Sequence, residues 1–239
     1  MPESRTGPSA PASPRPNLAA RRKSATRMEI AHTAARLFAE RGTAAVTAEQ
    51  IAAASGVGLR TFYRYCRTKE DAVEPMLSAG ASRWLDILGD GPDRLPTIAE
   101  LETAAIRALN VVDRDELDIT RGLLRAMADD SALRAVWFRV NLTGEHALLE
   151  LLTKLSPDTD PLRLRTLAAA AAGAIRIGLE QWADDDGPVA QPGSVAEISS
   201  AAARTDTRAS GPAPLVVRCM RELTAGVYAQ APADTTTAG

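Results

Sequence analysis

The segment from Thr47 to Lys69, TAEQIAAASGVGLRTFYRYCRTK, constrains the fold of this chain more than any other feature of the sequence. Thr47 and Gln50 have the spacing of a capping box, in which each side chain bonds the backbone N–H of the other residue at a helix start. The sequence SGV around Gly56 then interrupts the helical pattern, and glycine permits a tight turn at positive φ. The segment therefore predicts two short helices joined by a glycine turn.

The second of these short helices runs from Leu59 to about Cys66 and has two chemically distinct faces. The i, i+3, i+4, i+7 positions predict a buried stripe of Leu59, Phe62, Tyr63 and Cys66. The opposite face carries Arg60, Thr61, Arg64 and Tyr65. Arg60 and Arg64 lie one turn apart and project side by side, as contacts to guanine edges or phosphates require. A solvated surface also accommodates two arginines, but an exposed Tyr65 beside them favours contact with the major groove of DNA.

Charge is unevenly distributed along the chain. Residues 1–75 contain twelve Lys and Arg against seven Asp and Glu, although the whole chain carries a net charge of −2. The larger C-terminal part is therefore acidic. A basic N-terminal unit joined to an acidic one indicates that the first part meets a polyanion.

Composition indicates a soluble helical protein. Aromatic residues make up only 4% of the chain, and Ala and Leu dominate its apolar runs, which suits packed helices better than a sheet. Cys66 and Cys219 match no disulfide or metal-ligand spacing and favour a reducing compartment. No apolar run is long enough to span a bilayer, and the first residues do not resemble a signal peptide. We expect a cytoplasmic protein associated with the nucleoid and without a membrane partner.

Helical periodicity and breaker residues predict an all-α fold. The first helix ends near Arg41-Gly42, and Pro75 is expected to kink or interrupt a helix that Thr68 caps. Further helices are predicted at residues 81–88, 97–112, 115–128, 131–155, 161–183, 195–203 and 214–229. The expected domains are a disordered arm (1–20), a helix–turn–helix DNA-binding domain (21–80), a helical regulatory and dimerisation domain (81–230) and a disordered tail (231–239).

The N-terminal part resembles the tetracycline-repressor family of bacterial transcription regulators. The resemblance covers about Arg21 to Val73 and depends most on the pattern T-[LF]-Y-x-[HY]-x-x-[ST]-K-E, which begins here at Thr61. It implies that Arg60 and Arg64 read bases. It also implies that five residues position phosphates: Thr47, Thr61, Tyr63, Tyr65 and Lys69. Gly58 and Cys66 depart from the usual Ser and Phe, which anchors this helix less firmly.

The resemblance also implies partners. The family pattern predicts a double-stranded DNA operator, a homodimer built on the last two long helices and a small hydrophobic effector. The C-terminal sequences RAVWFRVNLTGEH and LRTLAAAAAGAIRIGLEQWADDDG resemble regulatory domains of actinobacterial members, some of them related to acyl-CoA-responsive regulators. In the helix at 161–183, small residues would let helices approach closely and leucines and isoleucine would supply apolar area: Leu164, Leu167, Ala168, Ala169, Ala172, Gly173, Ile175 and Leu179. The alternative is that this helix forms only the core of a monomer.

An effector pocket is expected between the helix that precedes Gly80 and the segments 115–128 and 131–155. Pockets combine apolar walls with a few convergent polar groups. The candidate lining residues are Trp84, Leu88, Leu123, Met127, Trp137, Phe138, Asn141 and His146. The alternative is that these side chains are ordinary core.

Enzyme chemistry is not indicated by the sequence. His32 and His146 are the only histidines, and they fall in different predicted domains. No nucleophile elbow, phosphate-binding glycine loop or paired-carboxylate motif is present. We expect no catalytic residue, no metal and no cofactor. The remaining alternative to a ligand-responsive DNA-binding repressor is a protein-interaction module built on a helix–turn–helix scaffold without ligand response.

Overall fold

The computed structural model describes residues 18–110, 114–185, 194–203 and 211–229, and within these ranges every regular element is helical. The helices are α1 (Leu18–Arg41), α2 (Ala48–Ala54), α3 (Leu59–Tyr65), α4 (Glu74–Gly89), α5 (Ile98–Leu109), α6 (Arg114–Ala126), α7 (Ser131–Leu155), α8 (Pro161–Asp184), α9 (Val195–Ala203) and α10 (Ala213–Ala229). Short 3-10 turns occupy Thr43–Ala45 and Glu70–Val73. The expected all-α class is confirmed. None of the described helices combines the length and apolar character needed to cross a membrane.

The predicted ends of the chain lie almost entirely outside the described residues. Residues 1–17 and 230–239 are not described, so the expectation of a disordered arm and tail is not tested there. Residues 18–20 are an exception, because they form the first turn of α1. The predicted arm (1–20) therefore includes three residues that belong to α1.

Side-chain caps define several of the helix starts. The box predicted at the start of α2 is present, since the Thr47 hydroxyl accepts from the Gln50 N–H and Gln50 Oε1 accepts from the Thr47 N–H. Thr97 and Glu100 form the same arrangement at α5. The Arg94 guanidinium and the Thr97 N–H both bond the Glu100 carboxylate, and they lower its pKa to about 2. These local hydrogen bonds explain why the helix starts were readable from sequence.

Pro75 marks an interruption of the helical pattern, one of the two outcomes expected for it, and does not kink a continuous helix. The 3-10 turn at Glu70–Val73 ends first, and α4 begins at Glu74 with the proline in its first turn. Proline is well tolerated there because the first N–H groups of a helix lack intrahelical partners. The chain therefore starts a new helix at this point and does not bend an existing one.

The DNA-binding unit and α6–α7 share one hydrophobic core. Ile30 and Phe38 of α1, Ile51 of α2 and Phe62 of α3 are fully buried in a cluster that also contains Leu123 of α6. The approach of α6 is close because it carries glycine at the contact. A Cβ on Gly122 would lie 2.8 Å from the Cβ of Ala39. The boundary between the two predicted domains is thus crossed by continuous packing.

A second core joins α4, α5, α7, α8 and α10. Leu101, Leu148, Leu167 and Met220 are fully buried in it. Helices α8 and α10 approach most closely at Gly178, where α8 has no side chain. A Cβ at this position would lie 2.7 Å from the backbone of Val216. This second core holds the helices that surround the internal cavity described below.

Candidate nucleic-acid interface and regulatory cavity

The turn between α2 and α3 has the geometry that the sequence predicted. Gly56 has φ of 69°, in the left-handed region that favours glycine. Gly58 precedes α3 and provides no side-chain cap, so the start of this helix depends on its backbone hydrogen bonds and on packing. Phe62 anchors α3 because its ring is completely buried in the first core.

The exposed face of α3 is rotated relative to the sequence prediction. Phe62 and Cys66 are buried as expected, but Leu59 is exposed at the surface and Tyr63 is 53% exposed. Tyr65, predicted to point outward, is half-buried and packs against the core. Seven residues are too few for periodicity to fix the orientation of a helix, so the shape of the α1–α2 surface decides it.

Two arginines remain on the outward face of α3 with a tyrosine between them. Arg60, Tyr63 and Arg64 are all exposed. The Arg64 guanidinium lies over the Tyr65 ring, 5.1 Å from its centroid, and this contact orients the arginine. Thr61 is half-buried, and Thr47 is exposed at the start of α2. The structure therefore leaves Arg60, Tyr63 and Arg64 of α3, and Thr47 before α2, accessible from solvent.

Lys69 is the exception among these residues. Its ammonium donates to the carbonyl oxygens of Thr43 and Val46, at 2.6 and 2.9 Å. The Glu70 carboxylate lies 3.8 Å from the same ammonium. The side chain therefore ties the end of the turn before α2 to the segment after α3. The expectation that Lys69 positions a phosphate is wrong for its side chain, because an ammonium bonded to two carbonyls is directed into the protein.

An apolar cavity of about 70 Å³ lies between α4, α5, α7 and α8. Trp84, Trp137 and Asn141 line it, as the sequence predicted. The other lining residues are apolar or glycine: Leu77, Gly80, Ala81, Leu85, Ala105, Ala108, Leu109, Val140, Gly144, Ala172, Ile175 and Leu179. Within the described part of the chain, no charged side chain borders this cavity.

The polar groups beside the cavity are few. The Trp84 indole N–H donates to the Leu101 carbonyl, and that of Trp137 donates to Glu180 at 2.7 Å. The Asn141 amide N–H donates to the Trp137 carbonyl at 2.8 Å, and its amide oxygen accepts no hydrogen bond from the described residues. That oxygen is the one acceptor that a bound molecule would find on a side chain of this wall.

Five of the eight predicted pocket residues lie elsewhere. Phe138 is 49% exposed on the outer side of α7, where the Arg176 guanidinium lies over its ring, and His146 is also exposed. Both lie outside the cavity because α7 turns its Trp137–Asn141 side inward. Leu123 and Met127 are buried in the first core against the DNA-binding unit. Leu88 is buried in the second core, at the end of α4 remote from Gly80.

Sequence reasoning missed the contributions of α5 and α8 to the cavity. The signal was present in the small residues that several helices share, such as Gly80 in α4, Ala108 in α5, Gly144 in α7 and Ala172 in α8. Small side chains that face one another leave space when the helix backbones are held apart by larger neighbours. Helix α6, which was expected to enclose this cavity, instead borders an adjoining one.

The adjoining cavity also measures about 70 Å³ and shares Leu77, Trp137 and Leu179 with the first. Its remaining wall includes polar residues, among them Arg83, Glu116 and Thr120. The shared side chains form a common wall between an apolar space and a partly polar one.

A polar contact joins α7 to the DNA-binding unit. The Arg139 guanidinium bonds Asp71 at 2.5 Å and Glu74 at 3.2 Å. Asp71 also forms a reciprocal pair of hydrogen bonds with Thr68, directly after α3. The helix that carries Trp137 and Asn141 on its inner side thus holds the start of α4 on its outer side.

Small and apolar residues form a stripe among the exposed residues of α8 and α10, which also include Arg165, Arg218 and Glu222. On α8 they are Leu162, Thr166, Ala169, Gly173 and Ile177, spaced along one side of the helix. On α10, Leu223 is exposed beside Gly226. Leu164, Leu167 and Ala168, which were expected to face a partner, are buried inside the chain. Ala172, Ile175 and Leu179 border the internal cavity.

A capped helix, a glycine turn and a second helix with exposed arginines define a helix–turn–helix DNA-binding protein. Residues 30–74 match the family model described as bacterial regulatory proteins of the tetR family. A protein named as the mycofactocin biosynthesis transcriptional regulator MftR of Mycobacterium tuberculosis is 25% identical over 174 residues. The match covers 72% of this chain and 87% of that protein. The helix–turn–helix unit thus matches the tetR family model, and over most of its length the chain is similar to a transcriptional regulator.

One solved structure supports this fold. GusR of Salmonella enterica superposes with a TM-score of 0.50 at 18% identity, covering 85% of this chain and 96% of that chain. FadR of Thermus thermophilus, a TetR family repressor solved with lauroyl-CoA, gives a TM-score of 0.46 at 20% identity, covering 89% of this chain and 99% of that chain.

Proposed function

We propose that this regulator is a repressor that binds a pseudo-palindromic operator as a symmetric dimer and releases it when an uncharged, mostly apolar effector enters the protein. The proposal divides the chain into a DNA-binding unit that ends with the 3-10 turn at Glu70–Val73 and a regulatory unit that begins with α4. The observation that carries it is the exposed face of α3, which has Arg60, Tyr63 and Arg64 on one side of a helix anchored by the buried Phe62.

The arginines on α3 support base reading. Arg60 and Arg64 are one turn apart and exposed, and no carboxylate among the described residues lies within ion-pair distance of either. Arginine binds the O6 and N7 atoms of guanine through two parallel hydrogen bonds. The exposed Thr47 and Tyr63 are the proposed phosphate contacts, together with Thr61 and Tyr65, which are half-buried.

The outward stripe on α8 and α10 supports dimerisation. Gly173 has no atom of another side chain within 4 Å of an added Cβ, and Ile177 is 39% exposed. Small residues permit close approach of helices, and the exposed Leu162 and Leu223 add apolar area. A symmetric dimer would present two α3 helices to half-sites about one helical turn apart, or at a multiple of that spacing.

The operator itself tests the proposal. DNA flanking the gene of this protein is titrated with the full chain, with its Arg64→Ala variant and with Arg36→Ala, an exposed cation on α1 outside α3. Loss of a base contact at Arg64 is expected to cost ~1–3 kcal/mol on the operator and much less on random duplex. Arg36→Ala should bind like the wild type.

Two outcomes contradict this proposal. Equal weakening of Arg64→Ala on operator and random duplex would make Arg64 a phosphate contact. A wild-type chain that is monomeric by light scattering at micromolar concentration, or that binds no duplex above competitor, would favour the protein-interaction module.

The internal cavity supports an effector site. Its walls are apolar, its free acceptor is the amide oxygen of Asn141, and no described charged side chain borders it. A buried ion would be strongly disfavoured in such surroundings. The expected effector is therefore an uncharged molecule with an apolar body and one hydrogen-bond donor.

The size of the cavity indicates that binding requires movement. Pockets for small molecules usually enclose ~300–1,000 Å³, whereas each of the two cavities measures about 70 Å³. Displacement of Leu77 and Trp137 from their common wall would join the two spaces. Because Leu77 lies on α4 and Trp137 on α7, this movement would separate the helices whose outer contact is Arg139 with Asp71 and Glu74.

A further inference from the structure

The first three turns of α1 form a strongly basic extension of the DNA-binding unit. The match to the tetR family model begins at residue 30, so it does not depend on residues 18–29. Those turns carry Arg21, Arg22, Lys23 and Arg27, and their only acidic residue is Glu29 at the far end. No acidic residue lies in the first turn of the helix.

One side of this extension lies beside the C-terminal end of α3. Ala19, Arg22, Lys23 and Thr26 line a surface groove whose other wall is made by Arg64 and Tyr65. These four residues of α1 share one side of the helix, since they are separated by three, four and seven positions. Arg21 falls on the opposite side of the same helix.

The cations in the groove have no counter-charge among the described residues. Arg22, Lys23 and Arg64 are exposed, and none forms an ion pair with a carboxylate among the described residues. Arg64 instead lies over the Tyr65 ring. Basic residues in the first turns of a helix also oppose its dipole, which favours anions at that end. Three like charges held around one groove are stabilised when an anion occupies it.

We propose that Arg22 and Lys23 bind phosphodiester oxygens of the DNA strand that borders the major groove entered by α3. This inference rests on the DNA binding proposed above. The occupant follows from continuity, because Arg64 belongs both to the groove and to the exposed face of α3. The contact lengthens the footprint of each protomer along the backbone and carries no sequence information, since phosphates are the same at every base pair.

The salt dependence of binding measures this contact directly. The full chain, Arg22→Ala, Lys23→Ala and the matched control Arg21→Ala are titrated with random duplex and with operator over a series of salt concentrations. Each phosphate contact contributes about 0.9 to the slope of log K against log salt. In a symmetric dimer, each groove variant should flatten the slope by about 1.8 on both DNAs, whereas Arg21→Ala should keep the wild-type slope.

Three results would overturn the inference. Wild-type slopes in both groove variants would show that the cations are solvated. An equal change in Arg21→Ala would indicate general charge attraction without a specific groove. A loss confined to the operator would indicate base reading. The first two results leave α3 and its operator untouched, whereas failure of the wild-type chain to bind any duplex would remove the proposed function together with this inference. All three replaced side chains are exposed, so their replacement is not expected to unfold the protein.

Discussion

At the scale of single residues, the structure separates side chains that meet DNA from side chains that build the unit presenting them. Tyr63 and Tyr65 have the same chemistry and lie two positions apart, yet one is exposed and the other packs on the core. Lys69 differs from the arginines of α3 in the same way. Its ammonium donates hydrogen bonds to the carbonyl oxygens of Thr43 and Val46 inside the unit.

Lys69 is therefore expected to act on stability. Lys69→Met keeps the aliphatic stem but leaves both carbonyls without their charged donor. The expected loss is about 1–3 kcal/mol in the free energy of unfolding, because hydrogen bonds from charged donors are worth more than neutral ones. Urea denaturation measures this loss, with the exposed Arg67→Met as the control that should remain within about 0.5 kcal/mol of the wild type. Unchanged stability with a flatter salt dependence of DNA binding would instead restore Lys69 as a phosphate contact.

At the scale of helices, glycine decides how closely neighbouring elements approach. Gly122 brings α6 against α1, and Gly178 brings α8 against α10. Gly173, five residues before Gly178 on the same helix, has open space around it because it faces outward. The same residue type thus serves internal packing at one position and an exposed surface at the other.

Replacing each of the two glycines of α8 with alanine is expected to change the stability of the protein in opposite directions. Gly178→Ala would place a Cβ 2.7 Å from the backbone of Val216, so α10 must move away from α8. The expected cost is about 1–3 kcal/mol in the free energy of unfolding, as for other overpacked cores. Gly173→Ala should be neutral or stabilising by up to about 1 kcal/mol, because alanine favours the helix. Urea unfolding at equal protein concentration compares them, and equal stability of both variants would contradict the close packing at Gly178.

At the scale of the whole molecule, α7 is the element that connects the cavity to the DNA-binding unit. Its inner side contributes Trp137 and Asn141 to the cavity, and Arg139 on its other side bonds Asp71 and Glu74. A ligand changes DNA affinity only when it binds one of two conformations more tightly than the other. Expansion of the cavity between α4 and α7 provides such a difference.

Uncharged apolar compounds with one donor group are accordingly expected to raise the melting temperature, change the fluorescence of Trp84 and Trp137, and release the operator. In Asn141→Leu, such a compound should bind about 2–10-fold more weakly, the equivalent of one neutral hydrogen bond. Its methylated analogue, which lacks the donor, should bind the variant and the wild type alike.

Compounds that stabilise the protein without changing operator affinity would argue against an effector role for the cavity. A donor-bearing compound that binds Asn141→Leu as tightly as the wild type would place its polar group elsewhere, for example in the adjoining space near Thr120.

The sequence alone determined the features of this protein that depend on neighbours along the chain. Most helix boundaries can be predicted from the sequence, because a few consecutive residues make the hydrogen bonds that define them. Examples are the caps at Thr47 and Thr97 and the turn at Gly56, which has a positive φ. The helix–turn–helix resemblance followed from the same local pattern. Trp84, Trp137 and Asn141 were predicted to line the cavity because pockets combine apolar walls with a few polar groups, and these residues supply both.

Only the tertiary structure decided which side of each helix faces inward and which residues meet across the chain. The orientation of α3, the inward charge of Lys69 and the exposure of Phe138 all depend on surfaces supplied by distant segments. The same holds for the groove between α1 and α3, whose residues are about forty positions apart. Helical periodicity specifies that a helix has two faces, but the free energy of packing against neighbours selects which of them is buried.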